Sequence, residues 1–214
     1  MIEIRALVKN IDTDCILQIP DLFFDSGLIH GIVGRNGSGK STLLRIILDL
    51  DNATAGEVLI DGHNNKSEKN LKKKVGAYLD DDFLIDFLTP EEYFELIFRL
   101  KLGSLKSYAD FISFMAPFFA DEILGQDKQI INFSKGNRQK IGIAGALIGD
   151  PKILILDEPM AHLDPNARKE LKDLLKKLCQ EKGLTIVITS HDSLQELSFF
   201  DKTIALDRGT IQKI

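Results

Sequence analysis

Cysteine is scarce in this 214-residue sequence: it occurs only twice, at Cys15 and Cys179. The two residues are far apart, and neither belongs to a Cys-x-x-Cys pair. We therefore interpret both as reduced, structural thiols of a cytosolic protein. The four histidines also lack the spacing that is typical of a metal site formed by protein side chains.

An excess of positive charge and long apolar runs are missing as well. The 27 lysine and arginine residues are outnumbered by 32 aspartate and glutamate residues, so the net charge is −5. This balance argues against a nucleic-acid partner, because proteins that bind nucleic acids usually carry a basic surface. No apolar run approaches the roughly 18 residues of a membrane span, and "MIEIRALVKN" at the start does not resemble a signal peptide. We expect a cytoplasmic protein that reaches a membrane only through a partner.

The hydrophobic pattern predicts an α/β fold. Strand-like runs occur at residues 2–8, 15–24, 28–33, 57–60, 75–79, 153–157, 184–189 and 203–206. Helical periodicity occurs at residues 40–50, 90–102, 106–118, 135–148, 165–181 and 194–200. The segments "ATAGEV" and "IDGHNN" indicate turns, and "DRGT" indicates a hairpin. The strands at 153–156 and 184–189 are almost wholly apolar or β-branched, which is typical of parallel strands covered on both faces.

One segment differs from the rest in composition. Residues from about 83 to 119 contain eight of the thirteen phenylalanines, on predicted helices with little strand signal. We expect them to belong to a helical lobe inserted between the strand that ends near Leu79 and the strand that begins near Ile153. The predicted division of the single domain is a core lobe of residues 1–79 and 151–214 and a helical lobe of residues 80–150.

A phosphate-binding motif follows the third predicted strand. In "GIVGRNGSGKST", residues Gly34 to Ser41 satisfy the pattern G-x-x-x-x-G-K-[ST], the P-loop. The backbone amides of such a loop cradle phosphates, Lys40 would contact the β- and γ-phosphates, and Ser41 would bind Mg²⁺. A chance glycine-rich turn is the alternative, and the strand before and the helix after argue against it. The nucleotide-binding residues predicted here are Gly34, Asn36, Gly37, Ser38, Gly39, Lys40, Ser41 and Thr42.

Two carboxylates and a histidine follow other buried strands. In "ILILDEP", Asp157 lies at the carboxyl end of the strand, where α/β sheets place ligand groups, and we predict that it holds magnesium through water. Glu158 lies where the chain turns, so it can polarise an attacking water near the γ-phosphate. His191, in "VITSHD", is predicted to contact the γ-phosphate and to hold the geometry of that water. The alternatives are an acidic pair that caps the next helix and a structural or surface histidine.

The stretch "INFSKGN" interrupts an apolar run before a predicted helix. Ser134 is predicted to cap this helix, and the amides of the first turn would then lack backbone partners. Because helix N-termini attract anions, the segment is a candidate phosphate site. On its own, it could equally be an ordinary capped helix.

Together these motifs resemble the nucleotide-binding subunit of ATP-binding cassette (ABC) transporters, over nearly the whole chain. "GRNGSGKST" resembles Walker A, "FSKGN" the signature, "ILILDEP" Walker B, "MAHLDP" the D-loop and "TSHD" the switch histidine. The resemblance implies a P-loop NTPase (ABC ATPase) fold with a mixed sheet core, and ATP and Mg²⁺ as ligands. It also implies two subunits packed head to tail. Ser134 and Gly136 would then bind the γ-phosphate of an ATP held by the P-loop of the partner subunit, and Asp164 would lie at the dimer interface.

The sequence departs from the family pattern at four places. Lys135 replaces the first glycine of the signature, as in some exporter-type cassettes, and His162 replaces a glycine of the D-loop. Asp80 stands where the family has the Q-loop glutamine. We predict that it remains an oxygen ligand of the metal, and a solvated acidic loop is the alternative. Ile11 stands where a tyrosine commonly stacks on adenine, so we expect weaker contacts with the base.

The resemblance implies an exporter-like ATPase subunit that powers a separate membrane permease through ATP-driven dimerisation, with an identical or a different ATPase subunit. The permease would hold it at the inner face of the cell membrane. The alternatives are a soluble, non-transport ABC ATPase and a nucleotide-dependent regulatory module with little turnover.

The permease is expected to dock on the Q-loop region and the helical lobe. There Phe83 and Phe87 would line a groove with an acidic border, which would favour a basic helix of the permease. The border consists of Asp86, Glu91, Glu92 and Glu95. Most of the other phenylalanines are expected to form the core of the lobe, namely Phe94, Phe98, Phe111, Phe114 and Phe118.

Overall fold

The structure is a computed structural model that describes residues 1–66, 73–191 and 196–212. Its strands form two sheets. The strands are β1 (Ile2–Ile11), β2 (Asp14–Phe24), β3 (Ile29–Val33), β4 (Ala55–Ile60), β5 (His63–Asn64), β6 (Val75–Tyr78), β7 (Ile153–Leu156), β8 (Thr185–Ser190), β9 (Lys202–Asp207) and β10 (Thr210–Gln212). The α-helices are α1 (Lys40–Ile47), α2 (Pro90–Leu102), α3 (Tyr108–Phe119), α4 (Lys135–Leu147) and α5 (Pro165–Lys182). Short 3₁₀ helices lie at Asp81–Phe83, Ile130–Asn132 and Leu197–Phe199. Within these residues, no helix has both the length and the apolar content that crossing a bilayer requires.

The larger sheet has six strands in the order β10-β9-β3-β8-β7-β6. The strands from β9 to β6 run parallel, and β10 pairs antiparallel with β9. Every residue of β3, β7 and β8 is buried. Leu154 and Leu156 of β7 belong to one apolar core, and Ile153 and Ile155 belong to another on the opposite face. The predicted parallel strands covered on both faces are therefore confirmed, and their carboxyl ends meet at one edge of the sheet.

The smaller sheet has four antiparallel strands in the order β2-β1-β4-β5. Its β1 strand alternates, and the buried side chains of Ile2, Ile4 and Leu7 pack in one apolar core with Leu43 and Leu44 of α1. This core joins the smaller sheet to the helix that follows the P-loop.

The turn predicted at "ATAGEV" is wrong, because β4 already begins at Ala55. Gly56 has a φ of 80°, and a Cβ at this position would lie 2.3 Å from the carbonyl oxygen of Ala6. The register between β1 and β4 shifts between Arg5 and Val8. Gly56 is therefore required by a bulge within a strand pair, not by a turn.

The structure confirms the predicted hairpin near the end of the chain and shortens the helix that follows the P-loop. The hairpin at "DRGT" is confirmed, since β9 and β10 pair and both Arg208 and Gly209 have positive φ values, 45° and 76°. Helix α1 ends at Ile47 instead of residue 50, and Asp49 is left-handed with a φ of 57°. The helix predicted at residues 194–200 lies partly outside the described residues, and its described part contains the 3₁₀ helix Leu197–Phe199.

The phenylalanine-rich helices lie between β6 and β7 in the chain and share a core with the larger sheet. Phe94 and Phe98 of α2 belong to the same apolar cluster as Leu154 and Leu156 of β7. Phe118 is also buried and Phe111 partly buried, as predicted, whereas Phe114 is 36% exposed. Phe114 is therefore a correction to the predicted core.

His30, on β3, is a fully buried titratable group. Its Nε2 lies 3.0 Å from the carbonyl oxygen of Asp25, and this acceptor requires the ring to donate from Nε2. Its Nδ1 is buried and has no hydrogen-bond partner within the described part of the chain. Burial lowers the pKa of His30, because a charged ring would lose its hydration.

We expect His30 to make the protein less stable below neutral pH. The folded-state pKa is lower than the unfolded value of about 6.5, so the stabilisation is complete above that pH and is lost as the pH falls through it. The free energy of unfolding, measured by urea titration from pH 8 to pH 5, should fall by up to about 1.4 kcal/mol per pH unit from this group. His30→Gln should remove this slope, and the exposed His63→Gln should retain it. Equal slopes in the two variants would contradict the prediction.

Candidate functional site

The loop between β3 and α1, residues 34–39, lies at the carboxyl edge of the larger sheet. Gly37 and Gly39 have positive φ values, 78° and 102°. A Cβ on Gly34 would lie 2.2 Å from the carbonyl oxygen of Leu206, so this position tolerates only glycine. A cleft of about 700 Å³ opens beside the loop, with His191 and Arg208 among its lining residues. The sequence motif therefore forms a tight backbone loop that faces a cavity large enough for a phosphate-bearing ligand.

Lys40 begins α1 and points back into this loop. Its side chain is only 6% exposed, and Nζ donates to the carbonyl oxygens of Gly34 at 2.8 Å and Arg35 at 3.3 Å. The same Nζ lies 3.4 Å from Oε1 of Glu158. The loop thus holds one buried positive charge in contact with the end of β7.

The remaining residues of the motif differ in exposure. Ser38 is buried, and its Oγ has no hydrogen-bond partner among the described residues. Ser41 and Asn36 are exposed, and Thr42 is half-buried. The hydroxyl of Ser41 is therefore accessible at the first turn of α1.

Asp157 and Glu158 follow β7 directly, and Thr189 near the end of β8 holds both. The Oγ1 of Thr189 donates to Oδ1 of Asp157 and accepts from the backbone amide of Glu158 at 2.9 Å. Thr189 is fully buried. Sequence reasoning missed this residue, although it belongs to the "VITSHD" stretch. Its hydroxyl can donate one hydrogen bond and accept others, which lets one side chain orient two neighbouring residues.

The carboxylate of Glu158 lies between Lys40 and His191. Its Oε2 contacts Nδ1 of His191, whose ring is about half exposed, and its Oε1 faces Nζ of Lys40. Its backbone is left-handed, with a φ of 46°. This conformation is uncommon for a residue with a side chain and costs roughly 1–3 kcal/mol, and it persists where neighbours enforce it. The structure therefore brings together all three of the predicted catalytic residues.

The N-terminus of α4 is a separate part of the candidate site. The Oγ of Ser134 accepts from the backbone amide of Asn137 at 3.2 Å, which confirms the predicted cap. Ser134 is exposed, and in the described residues it has no hydrogen bond or ion pair with Lys40 or Glu158. A Cβ on Gly136 would lie 2.8 Å from the carbonyl oxygen of His162, so glycine lets the first turn approach the D-loop.

Asp80 and Asp164 both cap neighbouring turns. Asp164 accepts from the amides of Asn166 at 2.8 Å and Ala167 at 3.0 Å, and these amides lower the pKa of its carboxyl group. Asp80 is exposed and accepts from the amide of Asp82 at 2.9 Å. The structure thus places the predicted metal ligand Asp80 in a local turn after β6, with its carboxylate engaged by a backbone amide.

Arg138 of α4 connects the signature segment to the residues after β6. It forms ion pairs with Asp81 at 3.2 Å and Asp86 at 2.9 Å. The hydroxyl of Tyr78 also donates to Asp81. Burial and the Asp81 carboxylate together raise the pKa of Tyr78, because both disfavour a second negative charge there. Sequence reasoning missed this network, since the partners are brought together only by tertiary packing.

A mainly apolar groove of about 330 Å³ lies where the end of α1, β6 and α2 meet. Phe83 lines it and is 48% exposed, whereas the more exposed Phe87 does not. The four residues of the predicted acidic border all have local partners. Glu91 accepts from the amide of Gly125, Glu92 completes a capping box, and Asp86 and Glu95 pair with arginines.

Comparison with known proteins identifies the family. A family model described as ABC transporter matches residues 17–161. The uncharacterized ABC transporter ATP-binding protein YhcH of Bacillus subtilis (strain 168) is 32% identical over 213 residues, which are 99% of this chain and 68% of the relative. The bacitracin transport ATP-binding protein BcrA of Enterococcus faecalis is 34% identical over 196 residues, which are 89% of this chain and 61% of the relative. The chain thus spans about 61 to 68% of the length of these curated relatives.

Solved structures agree with this assignment. MJ0796, described as a bacterial ABC transporter cassette, superposes with a TM-score of 0.89 in one dimeric structure. A second dimeric structure, a post-hydrolysis state bound to ADP and Pi, superposes with a TM-score of 0.87. Both are 28% identical, and the match covers all of this chain and 97% of that chain. The predicted fold class, an α/β P-loop NTPase with a mixed sheet, is confirmed. The chain belongs to the ATP-binding cassette transporter family, as an ATP-binding subunit.

Proposed function

We propose that this chain hydrolyses ATP and powers a separate membrane permease through ATP-driven, head-to-tail dimerisation. The observation that carries the proposal is the convergence of Lys40, Glu158 and His191 beside a glycine loop, with Nζ of Lys40 only 3.4 Å from Glu158. A buried cation next to a carboxylate–histidine pair matches the needs of phosphoryl transfer to water.

The P-loop binds the triphosphate. Its backbone amides and Lys40 contact the phosphates, and Lys40 exchanges the carbonyl oxygens of Gly34 and Arg35 for phosphate oxygens. Mg²⁺ bound beside the phosphates would supply positive charge that offsets the negative charge developing in the transition state. Ser41 and Asp157 would hold it, an oxygen donor set that suits this ion, with Asp80 as a further candidate.

Glu158 activates the attacking water, and His191 orients it. The Glu158 carboxylate can accept a hydrogen bond from a water beside the γ-phosphate, which raises the nucleophilicity of that water. The His191 ring contacts Glu158 from the solvent side, so it can restrain both the carboxylate and the water. Thr189 bonds to the backbone amide of Glu158 and to the carboxylate of Asp157, and so fixes the two residues relative to each other.

The N-terminus of α4 completes the site of a second subunit. Its amides, with the exposed Ser134 and with Gly136, present a positive helix end. In a head-to-tail dimer this end would meet the γ-phosphate of the partner subunit, with Asp164 of the D-loop at the same interface. The dimeric structures of MJ0796 support this arrangement by likeness.

The permease docks on the helical lobe, which we place at residues 80–150 against a core lobe of 1–79 and 151–214. The groove beside Phe83 is mainly apolar, as a groove that receives the apolar face of a helix should be. Such docking would place the chain at the inner face of the cell membrane. The Ser-Lys-Gly form of the signature supports an exporter-like subclass. A non-transport ABC ATPase is not favoured, since the relatives are transport proteins by name.

Replacing Glu158 by glutamine tests the proposed chemistry. The amide cannot act as a base, so steady-state phosphate release from Mg·ATP should fall by about 100-fold or more, as is usual when a general base is lost. The dissociation constant for ATP, measured by equilibrium binding, should stay within about threefold, because ground-state contacts remain. The exposed Glu170→Gln is the control and should hydrolyse like the wild type. Undiminished phosphate release by Glu158→Gln would contradict the role of Glu158.

A further inference from the structure

We propose that Gln139 is a positioning residue that couples the signature helix, α4, to the carboxylate of Glu158 in the same subunit. The inference rests on the proposed function, in which α4 meets the ATP of a second subunit and Glu158 activates water in its own site. Gln139 lies on the second turn of α4 and is 3% exposed. Its side chain bonds to the backbone of Glu158 and His162, so we place its action on Glu158 and not on the nucleotide.

The two ends of the Gln139 amide hold two different segments. Nε2 donates to the carbonyl oxygen of Glu158 at 3.0 Å, and Oε1 accepts from the backbone amide of His162 at 3.3 Å. The chemistry of these partners fixes the orientation of the amide. A flipped side chain would face a donor with a donor and an acceptor with an acceptor. One buried side chain therefore ties α4 to both Walker B and the D-loop.

Glu158 needs such restraint because its backbone is left-handed. Its amide donates to Thr189 from β8, and its carbonyl oxygen accepts from Gln139 and from the amide of Ala161 at 3.1 Å. Left-handed residues with side chains persist only where surrounding contacts enforce them. Thr189 belongs to β8, an inner strand of the larger sheet, whereas Gln139 belongs to α4, so Gln139 is the contact that a movement of α4 would change.

The first turn of the same helix carries the predicted phosphate contacts. Ser134 and Gln139 are five residues apart, which is about 7.5 Å along a helix axis. Gly136 approaches the carbonyl oxygen of His162 so closely that a Cβ would lie at 2.8 Å. A displacement of α4 by a phosphate at Ser134 therefore reaches the D-loop and Glu158 through Gln139 without an intervening flexible segment. ATP bound in one site would thus determine the position of the Glu158 carboxylate in the other site.

A purely structural role is the competing explanation, and the chain offers a matched control. Asn65 is also a buried amide, 5% exposed, and its Nδ2 donates to the carbonyl oxygens of Ile46 at 2.8 Å and Ile47 at 3.2 Å. Asn65→Leu and Gln139→Met each replace an amide by an apolar side chain of similar size. Each removes two buried hydrogen bonds, and only Gln139→Met removes contacts to Glu158 and the D-loop.

The test compares thermal stability and steady-state kinetics of the two variants. We expect both to lower the melting temperature by a similar amount, since each removes two buried hydrogen bonds between a side-chain amide and the backbone. Gln139→Met should lower kcat by about 10- to 100-fold, with KM for Mg·ATP within about threefold, because a catalytic group displaced by about 1 Å can cost that much. Asn65→Leu should leave kcat within about twofold. Equal effects of the two variants on kcat, or a loss confined to KM, would overturn the proposal.

Gln139→Glu gives a second, pH-dependent readout. The carboxyl group keeps an acceptor for the His162 amide, but when ionised it cannot donate to the Glu158 carbonyl oxygen. Burial favours its neutral form, which can donate. The ratio of variant to wild-type kcat should therefore rise as the pH is lowered from 8 to 6. A ratio that does not change with pH would overturn the proposal. The proposed function is tested separately, by whether Glu158→Gln abolishes the turnover that the wild type shows. Failure of the ATPase assignment can therefore be distinguished from failure of the role proposed for Gln139.

Discussion

Lys40→Ala is expected to reduce ATP turnover by at least about 100-fold, the usual cost of removing one donor aimed at charge that develops in the transition state. Lys40 is the buried cation of the P-loop, and its Nζ sits between two loop carbonyl oxygens and the Glu158 carboxylate. Alanine would leave the phosphates to the backbone amides alone. Phosphate release under saturating Mg·ATP measures the loss of turnover, and equilibrium binding measures any loss of affinity for ATP.

Lys101→Ala is the matched control for this variant. Lys101 is half-buried, and like Lys40 it donates to a backbone carbonyl oxygen, that of Ile148 at 2.9 Å. It lies away from the P-loop, so its loss should change stability and leave turnover close to that of the wild type. Turnover by Lys40→Ala that matches Lys101→Ala would contradict the assignment of the P-loop.

Ser134→Arg is expected to abolish ATP-driven dimerisation while each subunit still binds ATP. Ser134 is exposed at the N-terminus of α4, where the proposed dimer would place a phosphate held by the other subunit. A bulky side chain there would block approach of that phosphate. The P-loop of the same chain lies outside the contacts of Ser134, so its affinity for ATP should not change. Light scattering and equilibrium binding on the same sample would separate the two effects.

Two further variants control for the lost helix cap. Ser134→Ala removes the hydrogen bond to Asn137, which should lower the free energy of unfolding by about 1 kcal/mol. It should weaken ATP-driven dimerisation much less than Ser134→Arg does. Thr89→Arg removes the cap of α2, where Thr89 accepts from Glu92, and it should leave dimerisation intact. A dimer formed by Ser134→Arg to the same extent as by Thr89→Arg would show that α4 does not complete a second site.

The features of the fold and of the candidate site that could be predicted from the sequence are those that a local sequence pattern specifies. Apolar runs such as 153–156 predict buried parallel strands, and a glycine-rich loop ending in Lys40 requires its strand and helix on either side. Because parallel strands end at one edge, the convergence of Glu158 and His191 with Lys40 followed from their positions after strands. Ser134 was predictable as a cap for the same local reason.

The parts that could not be predicted depend on contacts between distant segments. Thr189 and Gln139 look like ordinary strand and helix residues, and their roles appear only where β8 and α4 meet the turn at Glu158. Gly56 reads as a turn residue, yet the approach of the Ala6 carbonyl makes it part of a bulge. Phe114 fits the apolar pattern of α3 but lies at its exposed side.

The most direct test of the account is the mass of Glu158→Gln in solution, measured by light scattering with Mg·ATP and then with Mg·ADP. The variant should bind ATP without hydrolysing it, so the closed state should accumulate. The account predicts a particle of twice the chain mass of 23.9 kDa with Mg·ATP and a single chain with Mg·ADP. A single chain under both conditions, with ATP shown to be bound, would contradict the claim that each α4 helix completes the ATP site of a second copy.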